Sequence, residues 1–165
     1  MSAQQPNSRQ NYHVGNLAEQ LLSSARTMLE EVGAAKLSMR ALCSALGVTP
    51  TAAYHHFTNR AELLAQLATQ GYLELAEELN EKAVALPVEE KIRGFCLIYL
   101  NFARRNPALY QLMFGPELEF EQMPEHLLNA RQFAFSRLEL MVADLLKQTP
   151  DRPDVRSAAL ASWSY

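Results

Sequence analysis

Apolar residues recur every three to four positions along most of this 165-residue chain, which is the spacing of amphipathic helices. Glycine, proline or short polar stretches separate one such segment from the next. No run of alternating apolar and polar residues indicates a strand, so the pattern predicts an all-α protein. The predicted helices cover residues 17–32, 39–46, 50–57, 59–84, 88–105, 107–114, 124–147 and 155–165.

The segment between residues 38 and 62 carries the most informative local signals. Gly47 ends one short helix, because glycine adopts the left-handed conformation after a helix without a steric cost. Thr49 and Pro50 begin another helix, with threonine as the N-cap and proline at the first helical position. Two short helices joined by a glycine-containing turn form the helix-turn-helix pattern, whose second helix enters the DNA major groove.

This second helix has the side chains that a DNA-reading helix needs. Ala53 and Phe57 lie one turn apart and are expected to face the core, which leaves small residues, hydroxyls and imidazoles on the other faces. Such groups approach bases closely or bond to phosphates and base edges, although a packed helix face is the alternative interpretation. Asn59 and Glu62 then have the spacing of a capping box, which places Arg60 in the first turn of the next helix.

The charge distribution favours DNA binding by the N-terminal part. The net charge of the chain is −3, but its first 60 residues contain five basic against three acidic residues. The remainder contains ten basic and fifteen acidic residues. A mildly basic head on an acidic body is expected when only the head contacts phosphates.

Other chemistry finds little support in the sequence. No apolar run approaches the ~18 residues of a membrane span, and no signal peptide opens the chain, so we expect a cytoplasmic protein without a membrane segment. Cys43 and Cys96 lie in apolar stripes and are interpreted as reduced core residues. His126 lies near several glutamates in a loop without fixed ligand spacing, so no metal is predicted. No catalytic arrangement or phosphate-binding loop stands out, and we predict no cofactor, no catalytic residue and no enzyme activity.

Three stretches resemble one known family. LGVTPTAAYHHFTNRAELL at 46–64 closely resembles the signature of the TetR family of one-component bacterial repressors. NYHVGNL at 11–17 is similar to the Tyr-His-His-Gly-Asp-Leu entry of one TetR subgroup, with Val14 and Asn16 as the differences. NPALYQLMFG at 106–115 is similar to a segment of that subgroup's regulatory domain.

The resemblance implies a domain organisation and a DNA site. A disordered tail at 1–10 would precede a three-helix DNA-binding domain at 11–58, and a helical ligand-binding and dimerisation domain would occupy 59–165. The implied partner is a double-stranded DNA operator. Tyr54 lies near the end of the second helix and has a long side chain, so we expect it to contact a phosphate, while the small residues Thr51 and Ala52 lie early in the helix and should be closest to the bases. The residues expected to contact DNA are Arg40, Thr49, Thr51, Ala52, Tyr54, His55, His56 and Arg60.

The helical body is rich in aromatic residues and methionine, which taken singly are interpreted as core. As a group, with tyrosine hydroxyls that need partners, they suit an apolar cavity with a few polar groups, as a small hydrophobic ligand requires. The candidate pocket residues are Phe95, Tyr99, Phe102, Tyr110, Met113, Phe114 and Phe133.

In the family that the chain resembles, the last two long helices form the homodimer interface. In this chain that pair would be reduced to one incomplete helix at residues 155–165, so we expect an incomplete C-terminus and a weakened homodimer. Dimerisation through other helices is the alternative.

The leading hypothesis is a ligand-responsive transcriptional repressor. A ligand in the body would move the helix at 59–84 and change the separation of two recognition helices, which read adjacent major grooves only about 34 Å apart. One alternative is a helix-turn-helix regulator without a ligand, whose body makes protein contacts only. The other is a helical enzyme whose resemblance to the family is accidental.

Overall fold

The computed structural model describes residues 16–83, 86–118 and 123–163, which form eight α-helices and no strand. The all-α prediction is therefore confirmed. None of the helices in the described ranges is long and apolar enough to cross a membrane. The helices are α1 (Leu17–Val32), α2 (Met39–Leu46), α3 (Pro50–Tyr54), α4 (Arg60–Ala83), α5 (Val88–Arg105), α6 (Pro107–Phe114), α7 (Glu125–Leu146) and α8 (Pro153–Trp163), with 3-10 turns at Ala34–Lys36 and Pro116–Leu118.

The helix boundaries agree closely with the predicted ones, with two differences of more than one residue. The recognition helix α3 ends at Tyr54, with His55 as its C-cap, rather than continuing to residue 57. Helix α8 begins at Pro153 rather than at residue 155, because proline fits the first turn of a helix, where no amide donor is needed. The predicted tail at 1–10, most of the NYHVGNL motif and residues 119–122 of the glutamate-containing loop before His126 lie outside the described residues.

Helix α4 is the centre of the fold, and it packs against α7, α5, α6 and α1. It has 24 residues, which corresponds to a length of about 36 Å. Its apolar face is buried along its whole length, from Leu63 to Leu79. Gly71 allows α6 to approach closely, since a Cβ atom at that position would lie 2.6 Å from Sδ of Met113 and 2.9 Å from Cδ2 of Leu109.

Two charged side chains of α1 join the head to the body. The guanidinium of Arg26 bonds to the carboxylate of Glu74 on α4 at 3.1 Å and to Oδ1 of Asn106 at 2.9 Å. The carboxylate of Glu30 accepts hydrogen bonds from the amides of Ala108 and Leu109, both at 3.1 Å. Glu30 therefore caps the N-terminus of α6, where the side chain of Asn106 makes no capping bond.

The two cysteines differ in environment. Cys43 is buried in the head, as predicted, but Cys96 on α5 is exposed, so its assignment to the core is wrong. Helix α5 buries a narrower face than its sequence suggested, formed by Phe95, Ile98 and Phe102. Ile92 and Leu100, which share the outer side of α5 with Cys96, are about half exposed.

Candidate DNA interface

Local capping bonds fix the turn between α2 and α3. The hydroxyl of Ser38 accepts from the amide of Ala41 and begins α2. Gly47 ends this helix in the left-handed conformation, with a φ of 66°, and the amide of Val48 donates to the carbonyl of Cys43 at 3.0 Å. At both ends of α2, backbone groups without a partner inside the helix bond to a side chain or an amide a few residues away. These local hydrogen bonds set the angle between α2 and α3.

Helix α3 buries one side and exposes the other. Ala53 is fully buried and Phe57, just beyond the helix, is 4% exposed, as predicted. Thr51, Tyr54 and His55 are exposed, and their spacing of three and four residues places them on one face. His56 is also exposed, but Ala52 is only half-exposed. This face combines a hydroxyl, a phenol and an imidazole, all of which can bond to phosphates or base edges.

Thr49 and Arg40 flank this face and are exposed. The hydroxyl oxygen of Thr49 accepts from the amide of Ala52 at 3.3 Å and so caps α3, as predicted. The proton of that hydroxyl is still available for a phosphate oxygen. The guanidinium of Arg40 makes no hydrogen bond to any residue in the described part of the chain, which leaves its charge for an external anion.

Arg60 is half-buried and holds the connection between α1 and α2. Its Nε donates to the carbonyl of Leu37 at 2.8 Å, and a terminal nitrogen donates to the carbonyl of Ala34. The sequence analysis missed this role, since a helix-terminal arginine gives no local sign of a partner more than 20 residues away. A guanidinium has five N–H donors, so the phosphate contact stays a prediction, made with those that remain.

The N-terminus of α4 has a modified capping box. The amide of Glu62 donates to Oδ1 of Asn59 at 2.8 Å, as predicted, but the Glu62 carboxylate accepts from the amide of Thr58 at 2.6 Å instead of that of Asn59. The Thr58 hydroxyl also donates to this carboxylate. Hydrogen bonds from that hydroxyl and that amide lower the pKa of Glu62. Hydrogen bonds among Thr58, Asn59 and Glu62 thus hold the loop between α3 and α4 in place.

Four of the predicted ligand-pocket residues lie together in the body. The Tyr110 hydroxyl donates to the Tyr99 hydroxyl at 3.2 Å, and the rings of Tyr110 and Phe114 lie 4.8 Å apart. Met113, which is buried, accepts at its carbonyl from the hydroxyl of Tyr72 at 2.6 Å. Burial raises the pKa of Tyr72 to about 12, and burial together with the Tyr110 bond also raises the pKa of Tyr99.

The sequence analysis missed Tyr72, although the repeat of buried residues four positions apart along α4 includes it. Phe95 and Phe102, which were predicted to line the pocket, are buried on α5. Phe133 is separate from the buried cluster, because 46% of its surface is exposed and its ring contacts the guanidinium of Arg137 at 4.5 Å.

Comparison with known proteins identifies the family. The model of bacterial regulatory proteins of the tetR family matches residues 21–67, and that of a tetracyclin repressor-like C-terminal domain matches residues 92–165. The nucleoid occlusion factor SlmA of Vibrio vulnificus (strain YJ016) is 31% identical over 143 residues, which cover 81% of this chain and 68% of that protein. The chain belongs to the TetR family. The SlmA protein of Vibrio cholerae is similarly related, with 31% identity over 140 residues.

Solved structures agree with this assignment. A protein of unknown function from Rhodococcus sp. RHA1 superimposes with a TM-score of 0.77 at 28% identity, covering 94% of this chain and 81% of that one. The TetR-family transcriptional regulator PfmR from Thermus thermophilus has a TM-score of 0.66 over 87% of this chain and 80% of its own. Its identity is 22%, so it supports the fold alone.

Membership of the TetR family makes this chain a DNA-binding transcription regulator with a helix-turn-helix head. Regulators of this family are generally not enzymes. Family membership and the geometry of α2 and α3 together identify the exposed side of α3 as the candidate DNA interface.

Proposed function

We propose that this TetR-family regulator is a repressor that binds a double-stranded DNA operator in the cytoplasm as a homodimer and releases it when a small hydrophobic ligand binds the body. The observation that carries the DNA-binding part is the exposed face of Thr51, Tyr54 and His55 on a recognition helix that is rigidly capped at its start. The pair α2 and α3 presents that face away from the core.

The proposed release of DNA requires a mechanical path from the body to the head. Helix α4 provides one, because Arg60 in its first turn bonds to the loop before α2, while its far end packs on α5 and α7. The contacts of Arg26 and Glu30 with the body provide a second path through α1. A ligand that favours one position of α4 changes the operator affinity by its difference in affinity for the two positions.

The two recognition helices of a homodimer would read adjacent major grooves, which requires a separation of about 34 Å. We therefore expect the operator to be a palindrome or a near-palindrome. Monomeric protein would make half the base contacts, so binding would depend on protein concentration.

Selection from random duplex DNA with the purified chain tests the proposal. The expected result is enrichment of sites with two-fold symmetry. The double variant Thr51→Ala/His55→Ala should lose the enriched site, while Ser23→Ala, on the exposed side of α1, should keep it. Absence of any enriched sequence, or unchanged binding by the double variant, would contradict the assigned interface.

A second candidate function is a regulator that needs no small ligand and uses its body for protein contacts. The similarity to SlmA favours it, since those relatives are nucleoid occlusion factors and share 31% of their aligned residues with this chain. Two observations would support the second candidate. No small molecule would change the operator affinity, and a partner protein would bind the body of the DNA-bound regulator.

A further inference from the structure

A groove of about 230 Å³ opens between α4, α5 and α7. Its walls combine apolar and polar groups. The apolar lining is Leu79, Phe95, Leu140 and Met141, and the polar lining is Asn80, Lys91, Arg137 and Asp144. Neither the DNA interface nor the contacts between head and body use these side chains.

The groove contains two cations and one carboxylate. Lys91 contacts Asp144, but the lysine is 16% exposed while the aspartate is 55% exposed and therefore largely solvated. Arg137 donates from one terminal nitrogen to Oδ1 of Asn80 at 3.3 Å. Its Nε is buried and has no hydrogen-bond partner among the described residues. Because buried donors are nearly always satisfied, this arginine lacks an acceptor that a bound anion can supply after a small rotation.

We propose that this groove binds a small amphipathic organic anion, a carboxylate with a short apolar tail. The carboxylate bonds to Arg137 and Lys91, and the tail packs on Phe95 and Met141. The volume lies below the roughly 300–1,000 Å³ of sites for drug-sized molecules, so the ligand is small. This inference rests on the proposed ligand response and gives that ligand its chemical class.

The position of the groove provides a route to the head. Asn80 lies near the end of α4, about 30 Å along the helix from Arg60. The bond between Arg137 and Asn80 joins α7 to α4 at this point. A carboxylate that captures the guanidinium competes with Asn80 and loosens that connection, so ligand binding changes the packing of the helix that positions the head.

Octanoate is a suitable probe, with octanamide and octylamine as neutral and cationic controls and acetate as a control without a tail. We expect saturable binding of octanoate to the full chain by calorimetry, with a rise in Tm. Octanamide should bind at least tenfold more weakly, and octylamine and acetate should not bind. Equal binding of octanoate and octanamide, or no saturable octanoate binding by folded protein, overturns the proposal.

Two variants locate the site. Arg137→Met removes the proposed anion contact, and Asn80→Asp adds a repelling carboxylate at an exposed position that needs no repacking. Both should weaken octanoate binding at least tenfold, while Arg93→Met, an exposed position on α5 outside the groove, should not. Full binding by a folded Asn80→Asp protein overturns the site even if Arg137→Met fails to fold.

Operator affinity is measured by fluorescence anisotropy in the same samples. Octanoate that binds the groove and weakens operator binding supports both the site and the proposed release. Octanoate that binds the groove without changing operator affinity supports the site and overturns the ligand response in the proposed function. Operator release by octanoate in the Asn80→Asp protein overturns the groove as the site while supporting a ligand response elsewhere.

Discussion

Arg60 illustrates how one side chain can serve folding before it serves recognition. Its position in the first turn of α4, beside the recognition helix, suggests a phosphate contact. In the fold, its guanidinium bonds to the carbonyls of Leu37 and Ala34 and so holds the loop that leads into α2. Removing it therefore affects the shape of the head as well as its charge.

Substitution of Arg60 by methionine should lower the stability of the head. The carbonyl of Leu37 loses the donor that Arg60 supplies, and the carbonyl of Ala34 keeps only the amide of Leu37. A carbonyl that loses its donor and that water does not reach costs roughly 1–3 kcal/mol. We expect a clear fall in the free energy of unfolding measured with urea. Arg40→Met, which removes an exposed charge without hydrogen bonds to the described residues, should leave stability within about 0.5 kcal/mol and weaken only DNA binding. Equal stability of the two variants would mean that the Arg60 bonds contribute nothing.

Tyr54 is 49% exposed at the end of α3, where we expect its hydroxyl to reach past the edge of the DNA groove to a phosphate. Tyr54→Phe should weaken binding to all sequences alike, by roughly tenfold, because a hydrogen bond to a charged phosphate contributes about 1.5 kcal/mol or more. Fluorescence anisotropy measures the loss of affinity for the selected operator and for its single-base variants. A changed order of preference among these sequences would show that Tyr54 reads a base instead.

At the scale of whole elements, the N-terminus of α6 is capped by a residue from another helix. Helix α6 has eight residues and no capping bond from its own N-cap, so the carboxylate of Glu30 on α1 fills that role. A short helix with an external cap is stable only while the two helices stay in contact. The order of α6 therefore depends on the position of α1.

Glu30→Ala should destabilise the protein by about 1 kcal/mol, the usual cost of losing an N-cap. Hydrogen exchange is the sharper measurement, because the amides of Ala108 and Leu109 lose their acceptor and should exchange faster. Glu31→Ala, an exposed neighbour, should leave both amides protected. Unchanged exchange in Glu30→Ala would argue against the cap.

The loop between α3 and α4 should be sensitive to acid. Bonds from the Thr58 hydroxyl and amide hold the pKa of Glu62 below its ordinary value of 4.5. A carboxyl group whose pKa is lowered in the folded protein adds stability at pH values above its ordinary pKa. This stability is lost as the pH falls through the pKa of the group in the folded protein. The stability difference between wild type and Glu62→Gln should therefore be present at neutral pH and vanish in acid. A difference that persists at the lowest pH would rule out the carboxylate as its source.

At the scale of the whole molecule, few cations in the described part of the head remain for DNA. Arg26 is bonded to Glu74 and Asn106, and Arg60 to two carbonyls, so Lys36 and Arg40 are the cations with no hydrogen bond to a described residue. The hydroxyl groups of α3 carry no charge, so they release no counterions when they bond to phosphates. Binding should thus depend less on salt than it does for strongly basic DNA-binding proteins.

For a homodimer with Lys36, Arg40 and Arg60 of each protomer on phosphates, the slope of log K against log salt should be about −5, at roughly −0.9 per contact. Anisotropy titrations over a range of potassium chloride concentrations give this slope. Lys36→Gln/Arg40→Gln should bring it to about −2, the part that the two Arg60 side chains contribute. A slope near −10 would show that Arg26 or cations outside the described residues also contact DNA.

The sequence by itself determined the helices and the type of DNA-binding unit. Helix ends depend on neighbouring residues, as at Ser38, Gly47 and Thr49, whose capping bonds reach no further than a few positions. Periodicity likewise identified Ala53, Phe57 and the apolar face of α4, because residues three or four apart share one side of any helix.

Only the tertiary structure decided which of those faces found a partner. The apolar stripe of α5 is wider than the surface that α4 and α7 offer it, so Cys96 remained outside the core. Tyr72 joined the aromatic cluster and Phe133 did not, since each depends on the neighbour opposite it. The partners of Arg60, Glu30 and Arg137 come from segments 23 to 79 residues away in the sequence. Periodicity fixes the direction of a side chain around its own helix, but a partner from a distant segment is set by how the helices pack.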